Sequence, residues 1–308
     1  MLVVDGRPPD VGSERRKAAV DRLATLPCLV VGRGGWDGAT HEDLELVDLV
    51  AVDEPTLARI MQTVSIAPIA SAALAVHLRA ADHRSTVDGL VAESALYSTL
   101  QSGPEFTRWR RKTPIQARVA STGHAVLVTR VGAALRVTLA RPESRNALSA
   151  QMRAELLDAL SIAEDDTALH VVINGQGPSF CAGGDLGEFG SFEDPATAHL
   201  LRLEQSIGAV LTRIAGRVTV HLHGACYGSG IELPAFAGRV VAHPDTAIAL
   251  PELGFGLVPG AGGTVSIPAR IGRHATALLA FTRHPIDAQT ALRWGLIDEL
   301  ATDESALV

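Results

Sequence analysis

Two glutamates, Glu232 and Glu252, stand beside glycine-rich turns, and that combination suits proton transfer to and from water next to a stabilised oxyanion. The first turn is Phe180-Cys181-Ala182-Gly183-Gly184-Asp185-Leu186. The second is Gly224-Ala225-Cys226-Tyr227-Gly228-Ser229-Gly230-Ile231-Glu232-Leu233. Leu250-Pro251-Glu252-Leu253-Gly254 and Pro259-Gly260-Ala261-Gly262-Gly263 complete the stretch. Glycine takes dihedrals closed to other residues and lets a ligand approach the main chain, so N–H groups of the two turns can converge on one carbonyl oxygen. The second turn lies between an expected strand at 218–222 and an expected apolar helix at 231–237. Unpaired N–H groups and the macrodipole at such a helix start favour negative charge. A preorganised donor at that point is worth ~3–4 kcal/mol to a developing enolate.

Each feature also has a plainer reading. The first glycine turn can be an ordinary strand-to-helix connection. Glu232, one turn after Ser229, shares its face of the helix, but a first-turn glutamate also simply complements the dipole. Glu252, in an apolar stretch, is either a buried functional acid or an exposed loop residue. Brought together, the two carboxyls would hold one water and trade a proton.

The elements that must position these residues follow from periodicity. Short apolar strands are expected at 28–31 and 46–52, with Gly32-Arg33-Gly34-Gly35 as a turn. Helices follow: one capped by Asp53 or Glu54 with Leu57, Ile60, Met61 and Val64 at helical spacing, one opened by Pro68, and one over 87–100 ended by Gly103-Pro104. Beyond Thr113-Pro114 strands and helices alternate. A hairpin over 125–131 and 135–140, a Ser149-capped helix over 150–163, a strand over 170–174, a helix over 198–214, and strands at 239–242 and 247–250 describe an α/β layered domain. The expected division is a mainly helical module over 1–113 and a core over 114–308.

Bulk properties narrow the function. The 308 residues are 47% hydrophobic and 20% charged, a globular composition with ample core material. A net charge of −7 disfavours wholesale binding to nucleic acid or an anionic membrane. The three cysteines, Cys28, Cys181 and Cys226, form no CxxC pair, so neither a disulfide framework nor a cysteine metal site is expected. Met1-Leu2-Val3-Val4-Asp5 lacks the basic flank of a signal peptide, and no apolar run reaches bilayer length. A cytoplasmic location, and no metal or redox cofactor, are the expectations.

Taken in order, several motifs resemble the enoyl-CoA hydratase/isomerase, or crotonase, superfamily. They are Arg141-Pro142 with Asn146-Ala147-Leu148, the two glycine turns, Pro251-Glu252 with Gly254, Pro259-Gly260-Ala261-Gly262-Gly263 and the segment 288–297. The resemblance covers about 126–300. It implies a spiral of ββα turns that binds acyl-CoA in a bent pose, with coenzyme A entering as part of the substrate. It places the backbone N–H groups of Gly184 and Ser229 in an oxyanion hole and Glu232 and Glu252 at the two acid/base positions of hydratases. The implied reaction is reversible hydration of a 2-enoyl-CoA; double-bond isomerisation, ring opening and thioester hydrolysis are the alternatives. The family implies a homo-oligomer, a trimer or dimer of trimers. Arg141, Arg145, Ala182 and Asp185 fall where the family contacts CoA.

Departures from the family pattern matter. Ser229 stands where a glycine is usual, so the donor survives only if serine adopts the needed dihedrals. His221 and His223 replace small apolar residues and an asparagine. Family members carry further helices after the segment matching Trp294-Gly295-Leu296-Ile297. Here the segment over about 40–112 resembles that tail, as if displaced to precede the core. On that reading Phe106, Arg110 and Lys112 approach the adenine and phosphates of CoA; otherwise the basic run Arg108-Trp109-Arg110-Arg111-Lys112 is a solvated helix end. Two other classes remain open. Ser229 could be a hydrolase nucleophile, although Tyr227 precludes Gly-x-Ser-x-Gly. The chain could also be a CoA-binding or assembly subunit, for which two glutamates have no use.

Overall fold

The computed structural model describes residues 1–7, 13–113, 123–190 and 194–301. The chain begins with a parallel sheet of β1 (Leu2–Asp5), β2 (Val30–Arg33) and β3 (Leu49–Ala51), with α1 (Ser13–Thr25) and the short α2 (His41–Leu44) in its connections. β3 lies within the expected 46–52 segment, whereas β2 overlaps the expected 28–31 strand only at Val30 and Val31 and runs on through Gly32 and Arg33, which pair with both neighbours and leave only Gly34-Gly35 of the expected turn. β1 and α1 were not anticipated, and they make the start of the module an α/β unit rather than a helical one. β1 is an edge strand with mostly exposed side chains, and α1 is largely polar, so neither carries the apolar signal of a buried element.

Four helices follow: α3 (Glu54–Ile66), α4 (Pro68–Arg79), α5 (Thr86–Gln101) and α6 (Pro104–Lys112). Their limits come from local chemistry. The Asp53 carboxylate accepts from Thr56 N at 2.7 Å, and Pro68 and Pro104 open α4 and α6 where a missing N–H is harmless. Leu57 and Ile60 face the core as their spacing predicts, whereas Met61 is exposed. Among the described residues no single helix is long and apolar enough to cross a membrane.

The second part opens with a hairpin, β4 (Val126–Val131) and β5 (Ala134–Leu139), turned at Gly132. Then come α7 (Ala150–Asp165), β6 (His170–Gly175), α8 (Pro195–Glu204), α9 (Ile207–Ile214), β7 (Val218–Leu222), β8 (Ala225–Tyr227), α10 (Ser229–Glu232), β9 (Arg239–Ala242), β10 (Ala247–Ala249), α11 (Gly263–Thr282), β11 (Ile286–Asp287), α12 (Ala288–Trp294) and β12 (Glu299–Leu300). Six strands form a sheet of order β12-β9-β7-β6-β5-β4, parallel except for the hairpin; β11-β10-β8 form a second sheet. Two helical expectations change. The segment 198–214 is two helices, because Ser206 interrupts it and caps α9 by accepting from Ala209 N. The expected helix at 231–237 is one turn, α10, followed by a 3₁₀ turn over Pro234–Phe236, since Pro234 cannot donate an N–H.

One apolar core runs through both parts. Leu57, Ile60, Leu74 and Tyr97 of the first cluster with Leu160, Val220, Leu250 and Phe281 of the second. Polar ties reinforce it. Glu93 of α5 reaches the Gly262–Thr264 segment, His77 Nε2 lies 2.9 Å from Thr264 Oγ1, and Arg273 and His274 of α11 bond the carbonyls of Leu44 and Val47. The boundary expected at 113/114 adjoins residues 114–122, outside the described residues.

Candidate active site

The two glycine turns lie side by side. Phe180 N donates to His223 O, Cys181 N to Ala225 O, and Tyr227 N to Cys181 O, which ties the first turn to β8. Gly228 N donates to Ala249 O, which fixes the second turn on β10. A Cβ at Gly230 would lie 2.0 Å from Cys181 O, so only glycine allows this approach. Gly228 takes φ 50°, ψ −120°, leaving Ser229 in the first turn of a helix. The left-handed conformation therefore falls on Gly228 and not on Ser229, which removes the dihedral difficulty that serine posed. Neither Gly184 N nor Ser229 N has an acceptor among the described residues, and both residues line one cavity of about 340 Å³.

Glu232 and Glu252 line the same cavity. Both are buried, at 2% and 7% exposure, which decides for Glu252 between the buried acid and the exposed loop residue. A Cβ on Gly228 would stand 2.4 Å from Glu252 Oε1 and 3.7 Å from Glu232 Oε1, so both oxygens flank one point. Glu232 Oε2 accepts from Ala261 N at 2.8 Å and Gly263 N at 3.0 Å. Glu252 Oε2 is buried without a hydrogen-bond partner among the described residues. Burial, and then the neighbouring carboxyls Glu252 and Glu93, push Glu232 well above the usual carboxylate range; burial, then Glu93, raises Glu252 to about 8. At neutral pH the pair thus retains a proton. The two donors on Glu232 favour its ionised form, while the unpaired Oε2 of Glu252 can carry the proton.

A third buried carboxyl escaped the sequence reading. Glu93 of α5 accepts from Gly262 N, Thr264 N and Thr264 Oγ1 at 2.6–2.8 Å, and burial raises it to about 7. It fixes the loop that supplies the donors to Glu232. Tyr97 and Gln101 of α5, Arg153 of α7 and Arg202 of α8 also line the cavity. The only sequence trace of Glu93 was a charge among the apolar residues of α5, and none marked the arginines.

The other expected site residues lie in two places. Arg141 is buried; its Nη1 donates to Ala147 O and its Nη2 to Asp185 Oδ2 at 3.2 Å, and Asp185 Oδ1 accepts from Gly187 N, so this pair braces both loops. Arg145 is exposed at φ 53°, with its carbonyl accepting from half-buried Ala182 N. Phe106 is buried 5.6 Å from Trp109, in a cluster with Phe189 and Phe255. Arg110 donates to the carbonyls of Leu186 and Gly187, tying α6 to the first glycine turn, and Lys112 is exposed. Of these, only Asp185 lines the cavity. His221 and His223 do not, and His223 Nε2 lies 3.0 Å from Gly177 O. Ser229 Oγ lies 3.8 Å from Cys181 Sγ and has no histidine partner among the described residues, so the nucleophile reading lacks a base.

The raised carboxyls have a consequence for stability. Glu252 holds its proton to about pH 8 when folded but only to the ordinary carboxylate range when unfolded. The folded state therefore binds more protons between these limits. Its contribution is fully present below about pH 4.5 and is lost as pH rises through 8. Thermal unfolding at pH 5 and pH 8 is expected to show a larger loss of Tm for the native chain than for Glu252→Gln. Parallel profiles for the two would contradict this burial argument.

The enoyl-CoA hydratase/isomerase family model matches residues 130–307, more than half the chain. The chain belongs to this family. At 31% identity it resembles the 2,3-dehydroadipyl-CoA hydratase of Escherichia coli over 59% of this chain and 71% of that protein. It covers 66% of the length of a 35% identical Bacillus subtilis relative, YhaR, and so spans about two thirds of such curated relatives. An enoyl-CoA hydratase structure from Thermoplasma volcanium, 36% identical, superposes with a TM-score of 0.56 over 61% of this chain and 76% of that one. The fold is the crotonase-type α/β fold, and the family acts on acyl-CoA substrates.

Proposed function

We propose that the protein catalyses reversible hydration of a 2-enoyl-CoA. The observation that carries this reading is the buried pair Glu232 and Glu252 in one cavity with the unpartnered N–H groups of Gly184 and Ser229. The thioester oxygen accepts from the two N–H groups, which stabilises the charge that develops as the enolate forms. Water sits between the carboxyls. Glu232, held by Ala261 N and Gly263 N, takes its proton as the oxygen adds to the β-carbon. Glu252 delivers a proton to the α-carbon. Each step reverses for dehydration, and the two carboxyls together neither gain nor lose a proton over a cycle.

The test is direct. Purified protein with crotonyl-CoA and longer 2-enoyl-CoAs is expected to bleach the conjugated thioester absorbance and yield the 3-hydroxyacyl-CoA. Tight acyl-CoA binding with no hydration of any chain length would instead favour another enolate reaction or a binding subunit.

A further inference from the structure

The wall of the cavity away from the carboxyl pair is cationic. Arg153 lines the cavity, yet its guanidinium has no hydrogen bond or ion pair among the described residues. Arg202 lies beside it, close enough for the two charges to repel. It is held by bonds from Nε to Ser94 Oγ and from Nη2 to Ser94 O and Ser98 Oγ, and it stacks 4.9 Å from the Tyr97 ring centroid. These contacts leave its Nη1 group unbonded among the described residues.

Two partly buried, mutually repelling guanidinium groups are unfavourable without an anion between them. The carboxylate that acts on Arg153 is Glu188, which is exposed and already accepts from Ala150 N, and the one that acts on Arg202 is Glu93, whose oxygens already accept from Gly262 N, Thr264 N and Thr264 Oγ1. Position identifies what the missing anion belongs to. Both arginines also line an adjoining space of about 70 Å³ that is bordered by neither Gly184, Ser229, Glu232 nor Glu252. They therefore stand where the cavity passes from the reacting groups into a side space bordered by Leu90, Leu203 and Gly208. Gln101 and Gln205 add polar groups beside Leu148, Ala198 and Leu201 in the main cavity, which suits a chain of methylenes with a polar end.

Building on the acyl-CoA reading above, we propose that the substrate's acyl chain ends in a carboxylate, which Arg153 and the free Nη1 of Arg202 bind. An arginine fork matches a carboxylate edge to edge, so chain length as well as charge is selected.

Binding of saturated acyl-CoAs to the full chain, measured by calorimetry, tests this without any turnover. Glutaryl-, adipoyl- and pimeloyl-CoA are compared with pentanoyl-, hexanoyl- and heptanoyl-CoA. At least one dicarboxylic ligand is expected to bind about 10- to 100-fold more tightly than its methyl-ended counterpart. Arg153→Gln is expected to erase that preference and to leave the methyl-ended affinities unchanged. Equal affinity for the two series in the native chain overturns the proposal, whatever the variant does. Equal weakening of both series by Arg153→Gln also overturns it, and assigns the guanidinium to a phosphate of CoA. If neither series binds, the acyl-CoA reading itself fails.

Discussion

Glutamine in place of Glu252 is expected to lower kcat for 2-enoyl-CoA hydration by about 10²- to 10⁴-fold, the usual contribution of a positioned acid or base. Glutamine preserves the volume and leaves the N–H groups of Gly184 and Ser229 free, so acyl-CoA affinity is expected to change little. What disappears is the proton that Glu252 retains to about pH 8. Glu232→Gln is expected to cost a similar factor by a different route, because an amide cannot accept the proton of water. In the proposed mechanism the two carboxyls share one water, so the double variant is expected to be no slower than the worse single variant by more than a small factor. Steady-state kinetics beside calorimetric affinity separates these effects. Turnover within about tenfold of the native rate in either variant would remove that glutamate from the chemistry.

The second large effect concerns stability. Arg79 of α4 uses all five of its donors. Nε and Nη2 hold Asp48 at 2.7 Å, Nη1 donates to Leu23 O and Leu26 O, and Nη2 also donates to Cys28 O. The side chains of this pair are only 6% and 3% exposed, and Asp48 Oδ2 further accepts from Val30 N. The fork thus fastens the N-terminal sheet to α4. Arg79→Ala leaves Asp48 buried with only Val30 N and, at 4.0 Å, Arg273 Nη1 beside it and takes one donor from each of three carbonyls, and is expected to destabilise the chain by about 3–5 kcal/mol. Lysine carries three donors from a single point and cannot restore this fork, so Arg79→Lys is expected to recover only part of the loss. Urea unfolding of the three proteins measures it. A loss below about 1 kcal/mol for the alanine variant would mean that water replaces the fork and the site is not sealed.

Much of this was legible in the residues. Asp53 and Ser149 cap helices by short-range hydrogen bonds, Pro68 starts one by lacking an N–H, Gly103-Pro104 ends another, and Gly132 turns the hairpin. Such rules act within a few residues and need no fold. The same short-range rules shorten two expected helices, at the Ser206 cap and at Pro234. β1 and α1 went unseen for a different reason: they bury too little apolar surface to leave a periodic signal.

By itself the sequence determined the motifs of the core: the glycine turns that permit close backbone approach, and the glutamates beside them. Only the tertiary structure decided their chemistry. Glu93 reaches Gly262 across 169 positions, Arg153 and Arg202 come from different helices, and α5 walls a cavity whose reactive groups lie far along the chain. The raised carboxyls Glu93, Glu232 and Glu252 exist for the same reason. Desolvation and charge repulsion depend on distance through space and on the exclusion of water, and neither quantity is written in the spacing of residues along a chain.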